Sequence, residues 1–417
     1  MLLYMRVTLC LTVLVLSATL GFGASAAPDP IEALHRVIMI RADAGRTSDG
    51  TGETDPLLWD NSTYFVSGTS RTRLQAALDA VNRLSDDDIS ASSPAKRALV
   101  QNRLWAVFDY LNGKLFSPRT AISAPGQAYL AAITQAMARL ALTEAEIAAL
   151  PDPLAEAERS DHWSAVPTPA GGPEVFLPAG LEANGGRWTL LGREKAEPSA
   201  LFHVQFTGGR TTFLLLARFP DPTLSPEEYF KAASSIGGQT PDLPKGAEFA
   251  LVRNLMVIDR SGRIRATPLT LSVQIRHYWS NAAAPFNPTG QPHQVTLRGV
   301  QSVAEFRLDT EALAAGQAPR LRTVGPDEMF YLLLNNMGVD RVVVNSANNG
   351  KDDLITLESC VVCHGQPSRA SIGTLSGMGG GDRKRVAGSA TTEAERTSAW
   401  KTGRAEWKKL NSLWPRL

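Results

Sequence analysis

The sequence predicts an α+β protein with a helical N-terminal domain, a mainly antiparallel β middle domain and a small helical module at the C-terminus. Three observations carry this reading. Apolar residues recur at helical spacing through the first third, short runs rich in Val, Leu, Phe and Thr alternate with turn signals in the middle, and tryptophans return to helical spacing at the end. A chain of 417 residues exceeds one core of ordinary size, so the parts are expected at 27–150, 174–345 and 346–417, with a linker at 151–173.

Residues 1–26 read as a signal peptide. Arg6 precedes an apolar run from Val7 to Phe22, and Ala24-Ser25-Ala26 fits the small-x-small cleavage rule. Pro28, Asp29 and Pro30 follow too soon for a full membrane span, although an uncleaved leader would act as an anchor. The expected location is the bacterial periplasm.

In the first domain, Leu74, Ala77, Leu78, Val81 and Leu84 fall on one side of a helix over Arg73–Leu84. Ser93-Pro94 then supplies an N-cap with proline at the first helical position, and Leu99, Val100, Leu104, Trp105, Val107, Phe108 and Leu111 recur at helical spacing up to Gly113. Trp105 and Phe108 belong on its core face rather than in a cofactor pocket. A further helix is expected from Pro125 to Leu140, and Thr143 with Glu146 makes a capping box for a short one ending at Pro151.

Proline-rich sequence from Pro151 to Pro173 marks the linker. Beyond it, strands are expected at Trp188–Leu191, Phe202–Phe206, Thr211–Phe219, Phe249–Ile258, Leu269–Tyr278, Val295–Leu297 and Val303–Leu308. Gly208-Gly209 and Asp259-Arg260-Ser261-Gly262 read as hairpin turns, and Ser225-Pro226-Glu227-Glu228 opens an inserted helix. His203, His277 and His293 lie in this region. Each is a possible metal or iron ligand, but without a second ligand at regular spacing each reads first as a hydrogen-bonded strand residue. Asp327–Asn336 returns to helix and Arg341–Val344 to strand.

Charge is balanced, 42 basic against 41 acidic residues, which gives no basis for a nucleic-acid or anionic-membrane partner. No carboxylate pair, Ser/His/Asp set or phosphate loop stands out, so enzymatic activity is left open. The chemistry concentrates in Cys360-Val361-Val362-Cys363-His364. Two thiols two residues apart can each add to a vinyl group at a porphyrin edge, while the next residue places an imidazole on the iron. A zinc site would need a second ligand pair, and Cys10 in the leader is the one other cysteine. A thioredoxin-like pair would open a helix after a strand, whereas this one follows an Asn/Gly/Asp loop.

The pentapeptide resembles the haem-attachment motif of c-type cytochromes, over about the last 70 residues only. The resemblance implies one covalent haem c, with Cys360 and Cys363 as thioether residues, His364 as proximal iron ligand, and a small helical c-type haem module. It also implies a sixth ligand from downstream methionine, and Met378, flanked by glycines, is the one methionine after His364. Met329, Met337, a distant histidine or an open position remain alternatives. Arg383, Lys384 and Arg385 read as a solvated run, with propionate pairing or docking of an acidic partner as the other readings. Thr392 and Glu395 form a capping box, and Trp400, Trp407 and Trp414 make a stripe expected to pack against the haem-bearing segment, as a terminal helix does in small cytochromes. The expected function is an exported mono-haem cytochrome passing single electrons to or from a redox partner protein. A peroxidase-like haem enzyme or sensor with an open sixth position, and an envelope binding or assembly protein with ancillary haem, are the alternatives.

Overall fold

Cap chemistry and apolar periodicity produce the helices of the first third. The computed structural model describes residues 29–39, 41–43, 46–48, 65–115, 123–159, 177, 180–181, 187–235, 243–244, 246–278, 287–288, 294–297, 301–324 and 385–415. Helix α1 (Pro30–Met39) leads into a small hairpin of β1 (Arg41–Asp43) and β2 (Arg46–Ser48), followed by α2 (Gly68–Asn82), α3 (Asp86–Ala91), α4 (Pro94–Leu115), α5 (Ala124–Arg139), α6 (Glu144–Ala148) and α7 (Pro153–Arg159). Ser85 and Asp88 form a capping box at α3, and Thr143 and Glu146 form the expected one at α6. The leader lies outside the described residues.

Helix α4 is the central strut. Every residue from Ala95 to Asn112 is buried, charged ones included, because the helix has neighbours on all sides. Its polar side chains are therefore partnered across long sequence distances. Gln101 accepts from the Ile258 N–H and donates to the carbonyls of Ile258 and Met137; Asn102 donates to the carbonyls of Arg210 and Met256. Arg97 pairs with Glu146.

Alternating and β-branched runs give β3 (Thr189–Arg193), β4 (Thr211–Arg218), β5 (Glu248–Ile258), β6 (Ile264–Tyr278), β7 (Asn287–Pro288), β8 (Gln294–Leu297), β9 (Gln301–Leu308), β10 (Leu321–Thr323) and β11 (Arg385–Ala387). Helix α8 (Leu201–Phe206) precedes β4, α9 (Pro226–Ser235) precedes β5, and α10 (Thr310–Ala314) precedes β10. The chain closes with α11 (Ala390–Thr402) and α12 (Ala405–Leu413). The strands form a nine-stranded sheet in the order β11-β3-β4-β5-β6-β9-β8-β7, with β10 also paired to β9. Every pairing is antiparallel, so the fold is α+β.

One core continues from helices to sheet. Met256, Ile258 and Ile264 cluster with residues of α1, α2, α4 and α5 and with Trp407, Leu410 and Trp414 of the chain end. A second core joins Val252, Val273, Ile275 and Phe306 to Leu154 and Leu177. The start of the expected linker is therefore the packed helix α7, whose N-terminus is capped by Asp152.

Three local expectations are corrected. Residues 202–206 form the helix α8 rather than a strand, and Gly208 and Gly209, at φ +59° and +72°, terminate it instead of making a hairpin turn. The Gly209 N–H reaches back to the Val204 carbonyl, a helix-ending bond that overrides the strand propensity of Phe and Val. At the chain end the cap is Ser389, which accepts from the Thr392 N–H, and the helix breaks at Gly403 and Arg404. The tryptophan stripe is split by that break. Trp407 and Trp414 bury in the helical core, Trp407 with its ring 5.8 Å from Trp105, whereas Trp400 joins Ala200, Val204 and Phe213. No helix among the described residues is long and apolar enough to cross a membrane.

Candidate functional site

Antiparallel pairing places directly opposed residues on one face of a sheet. Arg253 opposes Ser272, which opposes Arg307; Gln274 opposes Glu305, and Arg276 opposes Val303. These polar side chains thus leave the face opposite the apolar row of Val252, Val273 and Phe306. Register shifts between Arg253 and Met256 end the pattern, and beyond them Leu255 and Val257 return to an apolar cluster.

The face is buried and internally bonded. Arg307 donates from Nε and Nη2 to Glu305 Oε1, both at 2.8 Å, and Gln274 Nε2 donates to Glu305 Oε2 at 3.1 Å. Gln274 Oε1 in turn accepts from Arg276 Nη2 at 2.7 Å. Arg253, Arg276 and Arg307 are each less than a tenth exposed. Among these described side chains three guanidiniums accompany the single carboxylate of Glu305.

His203, on α8, stands at the β4 side of this face, its ring 5.4 Å from that of Phe213. Burial, and then the positive charges of Arg276 and Arg253, lower its pKa to about 4, so the imidazole is neutral at neutral pH. Helix α8 is fixed from the chain end. Arg385 Nη1 donates to the Ser199 carbonyl at 3.1 Å, and the fully buried Glu393 accepts from the Ser199 N–H and Oγ, each at 2.7 Å. Arg385, expected in a solvated run, is 3% exposed, because β11 pairs with β3 and carries it inside. Burial is the main cause lowering its pKa to about 10, which leaves it cationic at neutral pH.

A second buried charge centre joins the chain end to α4. Asp109 Oδ2 accepts from Arg210 Nη1 and from Lys401 Nζ, each at 2.8 Å, and the lysine ammonium lies 5.5 Å from the Trp105 ring centre. All three charged side chains are at most 1% exposed. Trp105 and Phe108 are core residues, as expected.

Cys360, Cys363, His364 and Met378 lie outside the described residues, as do His293, Met329, Met337, Arg383 and Lys384. The expected helix at 327–336 and strand at 341–344 lie outside them too. The described chain stops at Val324, after β10, and resumes at Arg385, so the motif is flanked on both sides by strands of one sheet. His277 lies on β6 on the face opposite Arg276, 45% exposed, with Nδ1 3.3 Å from Glu248 Oε1. Burial raises the Glu248 pKa, but hydrogen bonds with His277 and from Arg218 outweigh it and leave the carboxylate below its usual range. Among the described residues no group of three or more His, Cys, Asp or Glu is arranged to hold a metal ion. The arginine face was missed in the sequence, although Arg253, Gln274 with Arg276, and Glu305 with Arg307 interrupt otherwise apolar strands at two-residue spacing.

The donor chemistry of the motif fits a covalent haem: two thiols at the required spacing and an adjacent imidazole. Comparison with protein-family models, with curated proteins and with solved structures finds no match to this chain.

Proposed function

We propose that the chain is an exported c-type cytochrome with one covalent haem, attached in the stretch of sequence that precedes β11, passing single electrons to or from a periplasmic partner protein. The observation that carries this reading is the pentapeptide Cys360–His364, whose cysteines are the only ones beyond the leader. In this reading Cys360 and Cys363 each form a thioether, and His364 gives its ring nitrogen lone pair to the iron. Haem so held supplies a reversible one-electron couple. The sequence nominates Met378 for the opposite face.

The chain's own contribution is positional. The strands that flank the motif-bearing stretch, β10 and β11, belong to one sheet, and the chain after it is tied to Ser199 by Arg385 and to Asp109 by Lys401 of α11.

Intact-mass spectrometry of protein made in a host with haem-attachment machinery tests the reading. The mature chain is expected to start near Ala27 and to carry the mass of one haem that denaturation does not release. Cys360→Ser with Cys363→Ser should abolish the addition, and an unmodified wild-type mass overturns the proposal.

A further inference from the structure

We infer that the cleft between α3, α5, the β5–β6 turn and the chain end binds a small carboxylate with a flat apolar body. The inference goes beyond haem attachment and does not depend on it. Three observations carry it.

The first is the shape and lining of the cleft. Its volume is about 290 Å³, at the lower end of the range for small-molecule sites. Ile89 and Ala138, at most 5% exposed, and Pro415 give it apolar surface, while the exposed Ser90 and Gln135 add neutral hydrogen-bonding groups. Such a lining suits a ligand with an apolar body and one polar end.

The second is spare donor capacity. Arg260 and Arg139 both line the cleft. Arg260 Nε donates to the Ala141 carbonyl at 3.3 Å, but its Nη2 lies 4.0 Å from Glu146 Oε2, too far for a hydrogen bond. That carboxylate already accepts from Arg97 and from the Thr143 N–H. Arg139 donates from Nη2 to the Leu84 carbonyl and, at 3.3 Å, to Asp86 Oδ1, while its Nε is enclosed and has no partner among the described residues. An acceptor that reached this nitrogen would form a bond without displacing another. Two guanidiniums against the single carboxylate of Asp86 leave the lining one positive charge in excess, and Asp86, with its side chain 96% exposed, is screened by water. One excess positive charge matches a carboxylate, whose planar pair of oxygens fits the edge of a guanidinium; a phosphate monoester carries about −1.5 to −2.

The third is preformation. Ile89, Ala138, Ile258, Ile264 and Trp414 belong to one core, so the elements around the cleft are already packed together. The turn is fixed as well, since the Arg260 N–H donates to the Leu142 carbonyl at 3.0 Å. Binding between fixed walls loses little to ordering.

The test is isothermal titration calorimetry and thermal melting of the purified full-length protein with benzoate. Benzamide, its uncharged counterpart, and phenyl phosphate are the comparisons. Benzoate is expected to bind and to raise the melting temperature, benzamide to bind about tenfold more weakly, and phenyl phosphate to bind no better than benzoate. Arg260→Gln should weaken benzoate about tenfold, and Asp86→Asn should tighten it about threefold. Ser90→Trp, on the exposed rim, should block it. Melting temperatures without ligand show whether each variant is folded, and if Arg260→Gln is not, Ser90→Trp decides the case. Benzoate that fails to bind the wild type, benzamide that binds as well, or a folded Arg260→Gln or Ser90→Trp with wild-type affinity overturns the inference. Tighter binding of phenyl phosphate overturns the carboxylate assignment. None of these outcomes bears on the haem mass, so the two proposals stand or fall separately.

Discussion

His35 lies buried in α1 close to the charges of Arg103, Lys96 and Arg36, and burial first, then those charges, lower its pKa to about 3. In the unfolded chain the same ring takes a proton near 6.5, so between the two values only the unfolded state is protonated. The contribution of this ring is fully present above pH 6.5 and is lost as the pH drops through this window, by on the order of 4 kcal/mol. His203 adds a loss of the same sign down to about pH 4. Urea midpoints are expected to fall steadily from pH 7 to pH 4, and His35→Leu should flatten the slope; an equal slope in the variant would show that this ring does not titrate as argued. Asp109 gives a second test at this scale. Asp109→Ala removes the carboxylate shared by the buried Arg210 and Lys401, leaving Glu406 at 3.6 Å from the lysine, and should cost about 3–5 kcal/mol in denaturant unfolding, with Lys401→Met costing less because the Arg210–Asp109 pair survives. Neither centre was legible in the sequence. Gln101, Asn102 and Asp109 sit in a helix whose apolar spacing is easy to read, but their partners lie on strands and helices more than 100 positions away.

Helices with strong local signals were read within a few residues of their observed ends, because caps and prolines act on their immediate neighbours: α4, α5, α6 and α9 are the examples. Helix α8 was misread. Its six residues carry strand propensity, and what settles their conformation is the glycine cap together with packing of Val204 on Phe213. Gly209 marks where this matters. Its φ is +72°, and an added Cβ would lie 3.0 Å from both the Trp400 ring and Lys401 Cβ, so Gly209→Ala should lower stability by about 2–3 kcal/mol. Gly316 also has positive φ but open space around it, and Gly316→Ala should cost only about 1 kcal/mol. Thermal melts of the two variants give the comparison, and equal losses would remove the case for close packing at Gly209. Trp407, with its ring against Trp105, is the counterpart on α12; Trp407→Ala should cost about 3–5 kcal/mol.

Over the whole molecule the α+β class was legible from composition and periodicity, while the joining of the two chain ends was not, since no local pattern announces that β11 will pair with β3 or that Trp414 will lie against Gly262. The role of the last helices follows from that joining. A chain ending at 384 lacks Lys401, Trp407, Leu410 and Trp414 and leaves Asp109 and the helical core uncovered, so it is expected to lose near-ultraviolet circular dichroism and cooperative unfolding; a cooperative melt in that truncation would show the helices to be accessory. The pairing of Arg385 with Arg193 also sets an order of events. Synthesis proceeds from the amino end, so β3 is made about 190 residues before the strand that pairs with it. The sheet's outer edge can therefore form only once nearly the whole chain has been made, and folding of this half must wait for the last thirty or so residues.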